Sequence, residues 1–204
     1  ADYDFGQYLD NLAQVREAVG PDMPITANMG DFALAMAEQL KAVGVGSVYH
    51  AVRMGEGVVT DIPLDMRFNT IEAAHAAGLK VLTCLEMIDP RHTNDEVAAN
   101  MLRLAACKPQ KAGAWGMIPV PGTQMCDDEH YTFLKYGLYG DIMRLACGPE
   151  TRFNSNLEWA EVGTNPRDDS DATEKNGLGE SVEKVRTDFQ RNGWKTFRGP
   201  SPWW

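Results

Sequence analysis

Two periods of apolar residues alternate along this chain, and glycine marks the changes between them. Tyr8, Leu9, Leu12 and Val15 fall on one helical face. That helix closes at Gly20, a residue free to take the left-handed backbone that follows a helix end. Residues 23–29 then read as a strand. The unit repeats: a helix over 32–43, Gly44 and a strand over 47–53 follow, and then a helix carrying Leu64, Phe68, Ile71 and His75 on one face, Gly78 and a strand over 79–86. Thr93-Asn-Asp-Glu96 has the spacing of a capping box and predicts a helix running towards Cys107. Beyond it the pattern predicts a strand over 114–120, a helix over 128–146, a short strand over 157–162, and a last helix from Ser181 to Gly193. Residues 164–180 are polar and predict an exposed acidic loop.

Strands that alternate with helices predict a parallel sheet, because parallel neighbours need crossover connections. Five strands fit a partial (β/α) TIM-type barrel, and a doubly wound α/β sheet is the alternative. Residues 1–163 would form that barrel, with 164–204 supplying the loop and a helix that closes it. An incomplete barrel exposes unpaired strand edges, so the expectation is a missing N-terminal segment or a partner chain, with self-association of the chain alone. The absence of an initiating methionine before Ala1 agrees with a chain cut inside a larger fold.

Composition narrows the partners. With 29 acidic against 19 basic side chains the formal charge is −10, which repels phosphate backbones and anionic headgroups. Nucleic acid and membrane are therefore excluded as expected partners. Lacking an apolar run long enough to span a bilayer and a basic-then-apolar N-terminal leader, the sequence reads as soluble and cytoplasmic. Cys84, Cys107, Cys126 and Cys147 are widely separated, without a Cys-x-x-Cys pair to hold a metal, and read as reduced core thiols. Asp168-Asp-Ser-Asp171 lacks the glycine and distal glutamate of a calcium loop.

In parallel α/β folds functional groups collect beyond the carboxyl ends of the strands. Thr26 and Asn28, two residues apart on a strand, share a face and predict substrate contacts. Glu86 ends an apolar run, where it either pairs with Arg53 of the neighbouring strand or binds substrate. Arg53 and Arg67 carry the rigid fork that recognises carboxylates, although an arginine at a helix start also suits the surface. His50 and His92 can serve as acid, base or donor, or be structural; His75 lies on an apolar face and reads as packing.

Residues 65–81 contain Arg67-Phe-Asn-Thr-Ile-Glu72 and end Ala-Ala-Gly-Leu-Lys-Val81. This segment resembles the central helix and following strand of biotin synthase and its relatives, the radical S-adenosylmethionine enzymes. The run from Tyr49 to Glu56 stands at that family's ribose-binding strand end. Cys84 to Thr93 is similar to the methylornithine-synthase-like branch, and the similarity continues through residues 117–123 and the C-terminal helix.

The resemblance implies that Arg67 holds the methionyl carboxylate of S-adenosylmethionine. It further implies that Arg53 and Glu56 contact its ribose or methionyl part and that Met87 and Ile118 flank its adenine. Asn28, Thr26, Glu86 and Arg167 then face a small carboxylated or amino-acid-like substrate. It implies a [4Fe–4S] cluster too, but the family's Cys-x-x-x-Cys-x-x-Cys loop does not occur in this sequence. Its ligands are expected upstream of Ala1, which leaves the chain alone inactive. Two other readings remain at this stage: a cluster-free barrel lyase or aldolase using Glu86 or His50, and a non-catalytic barrel half that needs a partner chain.

Overall fold

The computed structural model describes residues 4–117, 122, 124, 125, 127, 129–131, 133–154 and 187, with the backbone alone at 133, 134, 153 and 154. Helix α1 (Phe5–Val19) leads into strand β1 (Thr26–Asn28), and α2 (Leu34–Ala42) follows. The next run of strand is broken at His50 and Ala51 into β2 (Ser47–Tyr49) and β3 (Val52–Arg53), before α3 (Leu64–Ala76). A second broken run, β4 (Lys80–Leu82) and β5 (Leu85–Ile88), precedes α4 (Asn94–Ala106), and β6 (Lys111–Gly116), α5 (Phe133–Cys147) and β7 (Arg152–Asn154) complete the described elements.

All strand pairs are parallel. β1, β2, β4, β6 and β7 pair in that order at one end of the sheet, and β3, β5 and β6 pair at the other. Because β2 with β3, and β4 with β5, are halves of single runs, each run lies beside its successor in sequence. Backbone bonds cross the breaks: His50 N to Leu82 O at 2.9 Å, Val52 N to Cys84 O at 2.9 Å, and Thr83 N to Lys111 O at 2.9 Å. Five consecutive parallel runs with helical crossovers make a partial (β/α) barrel.

The core lies between this sheet and its helices. Ala27, Val48, Val52, Val81, Leu85, Ala112 and Ala114 are buried on the sheet side, against Leu40, Phe68, Ile71, Met101, Leu104 and Met143 of the helices. Each large side chain among them contributes roughly 1.5–3 kcal/mol by leaving water. Gly116 permits the closest approach: a Cβ there would lie 2.0 Å from Cζ of Tyr136. The Tyr136 hydroxyl donates to Met117 O at 3.2 Å, seating α5 on β6.

Several expected boundaries move. β6 starts at Lys111, and residues 118–120 of the expected strand lie outside the described residues. The structure places a strand at Arg152–Asn154, registered on Lys111, Ala112 and Gly113. The expected strand over 157–162, the loop over 164–180 and the last helix lie outside the described residues, except for 187. The early start of β6 and the unexpected β7 both begin on charged residues, Lys111 and Arg152, whose backbone pairing an apolar count overlooks. Gly20, Gly44 and Gly78 have φ of 79°, 90° and 74°, the left-handed region expected after α1, α2 and α3.

Candidate functional site

Alternation along the strands decides which side chains face the interior. Ala27, Val48 and Val52 point outward into the core, so Thr26, Asn28, Tyr49 and Arg53 point inward. Thr26 and Asn28 are exposed, and Thr26 Oγ1 lies 2.6 Å from Ser47 Oγ. A chain of contacts continues around this inner face. The Tyr49 hydroxyl is 2.8 Å from Cys84 Sγ, the Cys84 thiol donates to Glu86 Oε2 at 3.1 Å, and Arg53 Nε meets Glu86 Oε1 at 2.8 Å.

Burial pushes the Cys84 thiol well above its ordinary range, and the Glu86 carboxylate adds to the effect. Burial likewise raises the Tyr49 phenol, with Cys84 beside it. Both groups therefore keep their protons at neutral pH and act as donors, in a line that ends on the carboxylate.

A bulge aims Glu86. Between the pairs Leu85–Ala114 and Ile88–Gly116, β5 takes three steps while β6 takes two. Met87 absorbs the difference with φ 61°, left-handed backbone that a side chain with Cβ adopts at a cost of roughly 1–2 kcal/mol. Beyond β5, the buried Asp89 carboxylate meets the Arg91 guanidinium at 2.9 and 2.6 Å, and His92 Nε2 lies 3.6 Å from it. Burial works to raise Asp89, but the Arg91 hydrogen bonds outweigh it and hold the carboxyl below its ordinary range.

A second cluster ties the strand ends together on the helix side. Arg67, on the first turn of α3, directs Nε and Nη2 to Glu56 Oε1, both at 2.9 Å, and Nη1 to Asp31 Oδ2 at 2.8 Å. Thr60 donates to the other oxygen of Glu56. Thr70 reaches Asp31 Oδ1 at 3.2 Å, and His50 Nε2 lies 3.2 Å from that same oxygen without the alignment of a hydrogen bond. Burial, helped by Arg67, keeps His50 below the ordinary imidazole range, although Asp31 pulls the other way.

Arg53 and Glu86 thus form the ion pair that was one of the two sequence readings, on the inner face with Thr26, Asn28 and the half-buried Met87. Arg67 and Glu56 are together but buried in the other cluster. Ile118 and Arg167 lie outside the described residues. Asp31, Tyr49 and Cys84 were missed: Asp31 directly follows Gly30 at a strand end, and Cys84 stands two residues before Glu86, a spacing that was a usable signal.

Cys84, Cys107 and Cys147 are free thiols, and the described residues contain no group of three side chains placed to hold a metal. They do not fit an iron–sulfur cluster. The inner face does offer S-adenosylmethionine a cation at Arg53 and an apolar surface at Met87.

No family model matches the sequence, and no curated protein matches it. Solved structures do. Methylornithine synthase (PylB) superposes over 96% of this chain with a TM-score of 0.57 and 13% identity. HydG, a maturase of the [FeFe]-hydrogenase, superposes over 73% with a TM-score of 0.58 and 12% identity, and HydG from Carboxydothermus hydrogenoformans over 95% with 0.59 and 14%. The chain spans 64%, 37% and 53% of the lengths of these three, less than two thirds of each. At such identities the likeness is one of fold, and the chain accordingly has a partial (β/α) barrel fold like that of methylornithine synthase and HydG.

Proposed function

We propose that the chain is the middle and C-terminal part of a biotin-synthase-like radical S-adenosylmethionine enzyme. Its inner face would hold the cofactor for 5′-deoxyadenosyl-radical chemistry on a small carboxylated or amino-acid-like substrate. What carries this reading is one juxtaposition: a barrel like those of PylB and HydG presents Asn28, Tyr49, Cys84, Glu86 and Arg53 along the carboxyl ends of its strands. Active sites of such barrels are built there.

The cofactor, when bound, supplies the radical that takes a hydrogen from substrate. The residues of this chain orient and enclose. Arg53 meets a carboxylate, Met87 and Ile118 flank the adenine, and Thr26, Asn28, Glu86 and Arg167 meet the substrate. Arg67 and Glu56 brace the strand ends behind them. Cluster ligands belong to an upstream segment or a partner chain, so this chain alone is inactive. The second edge of β1 has no strand partner among the described residues, and Val15, Val19 and Met23, which precede β1 in the chain, are 46%, 42% and 55% exposed. That edge suits a further strand–helix unit; a concentration-dependent dimer in sedimentation would assign it to a second copy instead.

Equilibrium dialysis against radiolabelled S-adenosylmethionine tests the proposal. One equivalent retained per chain below roughly 1 mM, the upper end of ordinary enzyme affinities, is expected. No retention at that concentration would overturn it.

A further inference from the structure

Away from the inner face, a cavity of about 610 Å³ opens between α3 and α4, at the amino ends of the strands. That volume falls within the roughly 300–1,000 Å³ usual for small-molecule sites. Phe68, Glu72 and His75 line it from one face of α3, and Arg103, Cys107 and Lys108 from the end of α4. None of these side chains has a part in the proposed cofactor site.

The wall carries charges of both signs, and two of them are unengaged. Arg103 holds its guanidinium 3.7 Å from the centroid of the Phe68 ring and directs Nη2 to Asp65 at 2.7 Å. Among the described residues, the Glu72 carboxylate and the Lys108 ammonium have neither a hydrogen bond nor an ion pair. Burial and the nearby Glu72 carboxylate raise the Cys107 thiol, which therefore stays protonated and neutral at pH 7. Two cations, Arg103 and Lys108, thus stand against two carboxylates, Asp65 and Glu72.

Lys108 is also held under strain. Its φ of 51° is left-handed backbone, which glycine adopts freely and lysine does not. Strain kept at one residue of a cavity wall points to a use for its side chain.

Electrostatics select what such a wall accepts. The cavity lies at the C-terminal ends of two helices, where the dipole favours a cation, and the chain as a whole carries −10. A free anion is therefore disfavoured, whereas a simple amine would meet Glu72 but set itself against Lys108 and Arg103. A molecule with both charges satisfies both ends.

We infer that this cavity is a second binding site, for a small zwitterion of the amino-acid class, with Glu72 holding the ammonium and Lys108 the carboxylate. It is independent of what the inner face binds. Because both partners are exposed, their contacts have surface strength and the affinity is millimolar, weaker than that proposed for S-adenosylmethionine at the inner face.

Nuclear magnetic resonance of the labelled chain, read at the amides of Glu72, His75, Cys107 and Lys108, tests this with three probes. They are L-phenylalanine, 3-phenylpropanoate, which lacks the ammonium, and 2-phenylethylamine, which lacks the carboxylate. L-phenylalanine should move these signals with half-saturation at about 1–10 mM, and each analogue should bind about twofold to fivefold more weakly. Glu72→Gln should bring L-phenylalanine down to the level of phenylpropanoate, and Lys108→Gly down to that of phenylethylamine. Since Lys108→Gly also relieves the strain, a melting temperature that is unchanged or higher separates lost binding from lost folding.

Four results would overturn the inference. The signals could stay fixed at roughly 10 mM L-phenylalanine, or move only at residues 49–56 of the inner face. L-phenylalanine could bind no better than either analogue, which would make the cavity an apolar surface only. Lastly, its preference over them could survive both substitutions.

Discussion

Arg67 shows how a charge is kept inside this protein. Removing a guanidinium from water costs several kcal/mol, which is recovered only with good geometry and every donor engaged. Two carboxylates around Arg67 engage all three of its nitrogens, though not all five of its N–H groups, and the 0% exposure of the Glu56 side chain makes the converse costly. Arg67→Gln leaves Glu56 buried and unpaired, so chemical denaturation should show a loss of about 3–5 kcal/mol. A loss near zero would mean that the pair is open to solvent. His50, in the same cluster, gives a pH signature. Its folded form stays neutral below the ordinary value of 6.5, so the unfolded chain binds the extra proton there. Stability from His50 is therefore present above that value and lost as pH falls below it. Thermal melts from pH 7.5 to 5.5 should drop more steeply for the unaltered chain than for His50→Gln; parallel curves would contradict the assignment. Nothing in the sequence spacing joined His50, Asp31 and Arg67, because the contact joins a strand break, a loop and the first turn of α3, which only the folded sheet brings together.

At the scale of elements, helix ends were legible where their chemistry is local. The box at Thr93 and Glu96 forms as expected, with Glu96 N to Thr93 Oγ1 at 3.2 Å and Thr93 N to Glu96 Oε2 at 2.8 Å. The apolar periods likewise placed α1 to α4 and the runs they connect. What was not legible is the interruption of two strands, at His50–Ala51 and Thr83–Cys84, because the ladder there continues through backbone bonds that are blind to side-chain type. The bulge at Met87 was hidden for a related reason: methionine carries no signal for positive φ. Lys108 is a second such residue, exposed after α4 with φ 51° and its N–H bonded to Ala105 O. Since this is the position where glycine ends helices without strain, Lys108→Gly should stabilise the fold by about 1 kcal/mol in a denaturant titration. Destabilisation would show that the lysine side chain packs in a way its exposure denies.

Over the whole molecule, the order of units told more than any motif. Helix and strand alternate with each run paired to its successor, which fixes the barrel type and the end where ligands bind. The inner face could be anticipated from alternation at Thr26 and Asn28, whereas the Tyr49–Cys84–Glu86–Arg53 line needed the register between strands. No helix among the described residues is long and apolar enough to cross a membrane. A cavity of about 610 Å³ does exist elsewhere, lined by Glu72, His75, Arg103 and Cys107 near the C-terminal ends of α3 and α4. It provides an internal control for the central claim that the cofactor binds against the inner face. Amide hydrogen exchange read by mass spectrometry, with and without S-adenosylmethionine, distinguishes the two places directly. The account predicts added protection in peptides covering residues 49–56 and 82–89, with those covering 103–110 unchanged; protection confined to 103–110 would contradict it.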